Sequence, residues 1–181
     1  MPVYISLLRG INLGPYKRMK MESLRTSAET LGFSSVKTYI QSGNMVFRAS
    51  RLSTATVSRQ LEERIVKDFG FSSAVVSRTR AELEKVIRDN PFLKHSGGEP
   101  SRVHVIFLPD APTPPAVKEL ERLTHSPDRS CCLEREIYLY LPFGVGRSSL
   151  TNNPVERKWL SRATMRNWTT VCALARMASE L

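Results

Sequence analysis

Thr38-Tyr39-Ile40-Gln41-Ser42-Gly43-Asn44-Met45-Val46-Phe47 is the stretch on which the reading of this chain turns. Two runs rich in β-branched and aromatic residues are joined through Ser-Gly-Asn, and both runs alternate with a period of two, so the stretch reads as a β-hairpin. Val36, Thr38 and Ile40 fall on one face of the first run, and Lys37, Tyr39 and Gln41 on the other. Gly43 and Asn44 tolerate the positive φ that a tight turn requires. A helix is excluded, because Gly43 would interrupt it and the apolar spacing does not fit.

Working outward, Val3-Tyr4-Ile5-Ser6-Leu7-Leu8 is a near-continuous apolar run, the pattern of a central strand covered on both faces. A Gly-punctuated loop, Arg9-Gly10-Ile11-Asn12-Leu13-Gly14-Pro15, leads into the basic cluster Lys17-Arg18-Met19-Lys20. Met21, Leu24, Ala28 and Leu31 then recur at helical spacing until Gly32 stops the helix. After the hairpin, Ser53 or Thr54 caps a helix with the buried stripe Val57, Leu61, Ile65 and Phe69, and Ala74–Ser77 is the next strand. The order β-α-β-β-α-β is the split βαβ, ferredoxin-like pattern. Thr79-Arg80-Ala81-Glu82 has capping-box spacing, which predicts a third helix ending at Asn90-Pro91.

Residues 89–101 read DNPFLKHSGGEPS, a connection without periodicity. It divides the chain into a ferredoxin-like half over 1–90, a linker over 91–101, and a related half over 102–181, with Phe92 and Leu93 pinning the linker to the first half. In the second half Val103–Leu108 is a strand, Thr113 caps a helix with Pro114 in its first turn, and Cys131–Leu133 pairs with Ile137–Leu141 across Glu134-Arg135. Asn153-Pro154-Val155-Glu156 starts a helix, and a last one carries Trp168, Val171, Leu174, Ala175 and Ala178. The expected class is therefore α+β, with two ferredoxin-like halves and mainly antiparallel sheets.

Charge is the compositional signal. The 181 residues carry a net +10, and residues 1–60 hold nine Lys/Arg against two Asp/Glu. An anionic partner follows as an expectation, either nucleic acid or a phosphate-bearing small molecule, with solubility alone as the simpler explanation. The three cysteines form an odd set with no bridging pattern, as in a reduced, cytoplasmic protein. No run approaches the roughly 18 apolar residues of a membrane span, and Met1-Pro2-Val3-Tyr4 enters a strand with no charged leader before it.

Two glycine-containing loops are the candidate ligand sites. Arg9 and Asn12 follow the first strand of the first half; Gly146, Arg147 and Ser148 follow the last strand pair of the second, where glycines and hydroxyls suit a phosphate or carboxylate. If they converge on one cleft, Arg166, Asn167 and Trp168 are expected near its edge, where the indole would stack on a base and Arg162 adds charge. The loop at Gly146 lacks the third glycine of a dinucleotide fingerprint and the Gly-Lys-Ser/Thr ending of a P-loop. No Gly-x-Ser-x-Gly, His-Glu-x-x-His or Cys-x-x-Cys occurs, so no catalytic residue, metal ligand or cofactor is assigned. His104 reads as a core imidazole. Three readings stay open: a polyanion-binding protein, an enzyme or sensor for a small phosphorylated or carboxylated metabolite held by Arg9, Asn12, Gly146 and Arg147, and a protein-interaction module using exposed sheet edges.

The strings Leu7–Gly14, Thr38–Phe47, Asn90-Pro91-Phe92, His104–Leu108, Tyr138–Pro142, Gly146-Arg147-Ser148 and Arg166–Val171 together resemble the mostly bacterial family known as domain of unknown function 1697. That resemblance implies two α+β halves of ferredoxin-like character, and it brings no activity, cofactor or catalytic residue. The chain departs from the family pattern at Gly14-Pro15, where Gly-Gly is usual, and at Ser149, where Lys is common. The first change stiffens a turn, and the second removes an amine from any phosphate site at that loop.

Overall fold

Val3–Leu8 forms β1, and its apolar run is buried because it lies between two other strands: β3 (Asn44–Arg48) and β4 (Val75–Thr79) both pair with it antiparallel. The computed structural model describes residues 1–93, 99–148, 150 and 161–181. With β2 (Ser34–Tyr39) on the outer side of β3, the first sheet has the order β2-β3-β1-β4. Helix α1 (Met21–Glu29) links β1 to β2 and α2 (Thr54–Phe69) links β3 to β4, each passing over the strand between. Two interleaved split βαβ units result, which is the expected ferredoxin-like topology.

Period-two strands and 3.6-period helices bring their apolar faces together in one core. Tyr4, Leu8, Met45 and Phe47 from the sheet meet Leu24 and Ala28 of α1 and Val57, Leu61 and Ile65 of α2. The Leu, Ile, Val, Met and Phe side chains among them each contribute about 1.5–3 kcal/mol when fully buried. Phe33 stacks on Phe47 with ring centroids 4.5 Å apart. The Tyr4 hydroxyl, which would otherwise be stranded in this core, accepts from the Leu52 amide at 2.9 Å and donates to the Leu52 carbonyl at 2.7 Å.

Local signals set the helix ends. Ser53 Oγ accepts from the Thr56 amide at 3.0 Å to start α2. At α3 (Arg80–Arg88) the Thr79 amide donates to Glu82 Oε2 at 2.7 Å, and the Glu82 amide donates to Thr79 Oγ1 at 3.2 Å, the reciprocal pair of a capping box.

The second sheet repeats the topology. Strands β5 (Val103–Phe107), β6 (Arg129–Leu133), β7 (Glu136–Tyr140) and β8 (Thr164–Asn167) lie in the order β6-β7-β5-β8, all antiparallel. Helix α4 (Pro114–Leu123) sets Leu120 and Leu123 against Ile137, Leu139 and Leu141. Strand β8 was not legible in the sequence: it is four residues long, lacks apolar alternation and runs straight into α5 (Trp168–Ser179). The helix expected from Asn153 lies outside the described residues, as do Ser149 and His95. The chain divides into two compact units, residues 1–85 with 173–181 and residues 86–172, so the division falls inside α3 and α5. No described helix is long and apolar enough to cross a membrane.

Three local expectations change. Ile40 does not continue the strand face of Val36 and Thr38; it is exposed in the turn with φ 50°, and Tyr39 already pairs with Asn44. Asn44, read as a turn residue, is fully buried as the first residue of β3. Phe92 packs in the second unit rather than on the first, its ring 6.4 Å from that of Tyr140, with the Arg129 guanidinium lying over both. An aromatic pair bridged by a cation outweighs proximity in sequence.

Gly43 holds φ +76°, and a Cβ there would stand 2.7 Å from Leu8 Cβ and 2.8 Å from Ile11 Cδ1. Gly32 has φ +81° with open space around the same position. In urea denaturation, Gly32→Ala is expected to lose about 1 kcal/mol, the conformational term alone. Gly43→Ala adds a clash with the Leu8 and Ile11 side chains and is expected to lose more than about 2 kcal/mol; equal losses at the two sites would refute the packing role of Gly43.

Candidate functional site

The loop after β1 and the turn of the β2–β3 hairpin meet at one end of the first sheet. The Leu8 amide donates to the Gly43 carbonyl at 2.8 Å, and the next amide, Arg9, donates to the Ala74 carbonyl at 2.9 Å. Asn12 then adopts φ 56°, a left-handed conformation that asparagine tolerates. Its carboxamide is used on both sides: Nδ2 donates to the Met19 carbonyl at 2.9 Å and to the Gln41 carbonyl at 2.8 Å, while Oδ1 accepts from the Met19 amide at 2.8 Å. Asn44 fixes the hairpin turn from within, donating from Nδ2 to the Tyr39 carbonyl at 3.0 Å and to Ser42 Oγ at 2.9 Å.

Between loop and turn lies an open cleft of about 680 Å³, lined by Asn12, Gly14, Arg18, Met19, Lys20 and Gln41. Arg18 and Lys20 are exposed. Among the described residues neither is in an ion pair; Arg18 Nε donates to the Gly14 carbonyl at 3.4 Å. Lys17 Nζ reaches the Ser72 carbonyl at 2.8 Å, which keeps a third cation beside the cleft. Lys20 is also the N-cap of α1, so the positive end of that helix adds to the field, and Glu22 in its first turn subtracts from it. The cleft is a concave site of positive potential with amide groups at its margin.

The sequence-based candidates are placed unequally. Asn12 lines the cleft but serves as a clamp, its hydrogen-bonding groups already engaged. Arg9 is half-buried and its carbonyl accepts from Ser73 Oγ at 2.9 Å. In the second unit, Gly146 and Arg147 are exposed in a 3-10 turn over Val145–Arg147. The amides of Gly144, Arg147 and Ser148 donate within that loop at 3.0, 3.3 and 3.3 Å, and buried Ser148 accepts from the Leu150 amide at 3.1 Å. Those groups close the turn rather than face a ligand.

Arg166 is buried, donating to Thr164 Oγ1 at 2.6 Å and to the Met165 carbonyl at 2.8 Å, and burial pushes its pKa down to about 10. Asn167 Oδ1 accepts from the Thr170 amide at 2.9 Å and so caps α5. Trp168 is only 5% exposed, which removes it as a stacking surface. His104 is a buried core imidazole whose pKa is lowered by burial, offset in part by the Arg102 backbone. Sequence reasoning noticed the basic cluster but did not single out Arg18, Lys20 or Gln41. The usable signal was an aromatic and three cations between Pro15 and Met21, in a stretch where only Met19 enters the core.

If Asn12 holds the cleft together, Asn12→Ala removes three hydrogen bonds at about 1 kcal/mol each, and a loss of about 2–3 kcal/mol is expected in chemical denaturation. Hydrogen exchange at the Met19 amide should accelerate. Asn12→Asp keeps the acceptor for that amide but sets a carboxylate against the Met19 and Gln41 carbonyls, and should be no better tolerated than alanine; a wild-type Asn12→Asp protein would discount the clamp.

Comparison with known proteins places this architecture. No curated protein matches the chain. Among solved structures it resembles the conserved bacterial protein SP0830 from Streptococcus pneumoniae, with 20% sequence identity, 98% of each chain covered and a TM-score of 0.80. At that identity the likeness is one of fold. The family model described as "Protein of unknown function (DUF1697)" matches residues 1–138, which take in the whole first sheet and its cleft and run into β7. With well over half its length matched, the chain belongs to the DUF1697 family of proteins of unknown function.

Proposed function

We propose that the chain binds polyanions, nucleic acid among them, through the cleft between the Asn12–Lys20 loop and the hairpin turn. The observation that carries this reading is that Arg18 and Lys20 line a concave surface without a carboxylate partner among the described residues. Cations held this way release counterions when phosphates replace them, and the excess positive charge of residues 1–60 steers an anionic partner toward them. Three free cysteines suit a reducing, cytoplasmic setting for such a partner. The edge of β2 supports a protein-docking role less well, since it is irregular between Ser34 and Lys37 and exposes Lys37.

A phosphate-bearing small molecule in the same cleft is the second reading, favoured by a volume within the range of small-molecule sites, roughly 300–1,000 Å³. Salt separates the two. Fluorescence anisotropy with labelled oligonucleotides and with heparin, from low to moderate ionic strength, should give an affinity falling steeply with salt. Arg18→Ala/Lys20→Ala should flatten the log–log slope by about 1.4–1.8, two phosphate contacts' worth. Absence of any polyanion binding at low salt would overturn the proposal. Saturable thermal stabilisation by nucleotides, abolished in the same double variant, would favour the small ligand.

A further inference from the structure

We infer that the polyanion taken by this cleft is single-stranded nucleic acid, with an unpaired base stacked on Tyr16 while Arg18 and Lys20 hold flanking phosphates. This rests on the polyanion reading and narrows it. Tyr16 is 84% exposed, so it fills no core. It stands two residues from both Gly14 and Arg18, which line the cleft, and two trans peptide steps span at most about 7 Å. The Cα of Tyr16 is therefore within stacking reach of a strand that follows Arg18 and Lys20.

The loop that carries Tyr16 is held in place rather than hanging free. The Asn12 amide donates to the Lys17 carbonyl at 3.1 Å, Arg18 Nε to the Gly14 carbonyl at 3.4 Å, and Lys17 Nζ to the Ser72 carbonyl at 2.8 Å. Pro15 fixes φ immediately before the ring. An aromatic side chain presented on a tied loop loses little conformational entropy on stacking. Leu13, 82% exposed in the same loop, and Ile40, 53% exposed in the hairpin turn, extend the apolar surface.

Gln41 adds a chemical reason for unpaired bases. Its backbone carbonyl is taken by Asn12, while its exposed side chain lines the cleft and offers both a donor and an acceptor. An unpaired base presents a π-face and a free Watson–Crick edge, the two features that Tyr16 and Gln41 recognise. A duplex keeps its faces stacked and its edges paired, so it can use the cations alone. A base-free polyanion such as heparin is limited in the same way.

The test compares a fluorescein-labelled single strand, as DNA and as RNA, with the duplex of the same sequence and with labelled heparin, at one ionic strength on the full chain. Either single strand is expected to bind more tightly than the duplex. Tyr16→Ala should weaken single-strand binding about five- to a hundredfold, the range of one base–aromatic stack. It should leave duplex and heparin binding, the salt slope and the melting temperature unchanged, because the ring is exposed. Tyr16→Phe should retain single-strand affinity. Single strand and duplex bound alike, with no response to Tyr16→Ala, would overturn this inference and leave polyanion binding standing. Loss of binding to every polyanion at low salt would overturn both.

Discussion

The first unit depends on the approach of the hairpin turn to the end of β1. The Leu8 amide can reach the Gly43 carbonyl only because no Cβ intervenes between the turn and Leu8 and Ile11. That contact sets the height of the turn, and the register Leu7↔Asn44 continues it into the sheet. With the turn fixed, the Gln41 carbonyl lies where Asn12 can bind it, and Asn12 in turn closes the loop on Met19. The cleft is thus a consequence of backbone packing, and its polar lining is anchored to the sheet rather than to a mobile segment.

The placement of charge matters more than its total. Four helical arginines are matched within a turn: Arg59 with Glu63, Arg64 with Asp68, Arg80 with Glu84, and Arg122 with Glu119. Pairs of this kind add little stability at the surface, but they cancel one another's field. Arg64 and Ser27 hold the Asp68 carboxyl below the usual carboxylate range, Ser27 having the larger effect. Lys17, Arg18 and Lys20 sit in a loop with no carboxylate at helical spacing before them, so their field is directed into solvent over the cleft.

The two units solve the same topological problem with different chemistry. In both, an amide at the end of the central strand donates to a carbonyl of the hairpin turn: Leu8 to Gly43 at 2.8 Å and Leu108 to Arg135 at 2.9 Å. The second hairpin is shorter, pairing Leu133 with Glu136 across Glu134 and Arg135, with Glu134 at φ 54°. Its side chain also closes the contact, Arg135 Nη1 donating to the Pro109 carbonyl at 3.5 Å. The loop that follows is Pro109-Asp110-Ala111-Pro112, whereas the first unit has an asparagine clamp and a run of cations. Topology repeats while the residues at the equivalent loops diverge: the basic cluster occurs only at the loop of the first unit.

Most elements were legible in the sequence, because they rest on local signals: period two around Gly43, period 3.6 in Val57, Leu61 and Ile65, the Thr79–Glu82 box, and the Ser53 cap. Hidden from the sequence was whatever depends on contacts distant along the chain. Strand β8 exists because β5 offers it an edge, not because Thr164–Asn167 alternates. Trp168 and Arg166 look like a binding pair in one dimension and are buried in three. Asn12, Gly14, Arg18, Lys20 and Gln41 form one lining only after the hairpin turn folds onto the end of β1. The sequence by itself determined every described strand and α-helix except β8, since hydrogen-bonding period and capping are local. Only the tertiary structure decided which polar residues stay open to a ligand, since exposure is a property of how the elements pack.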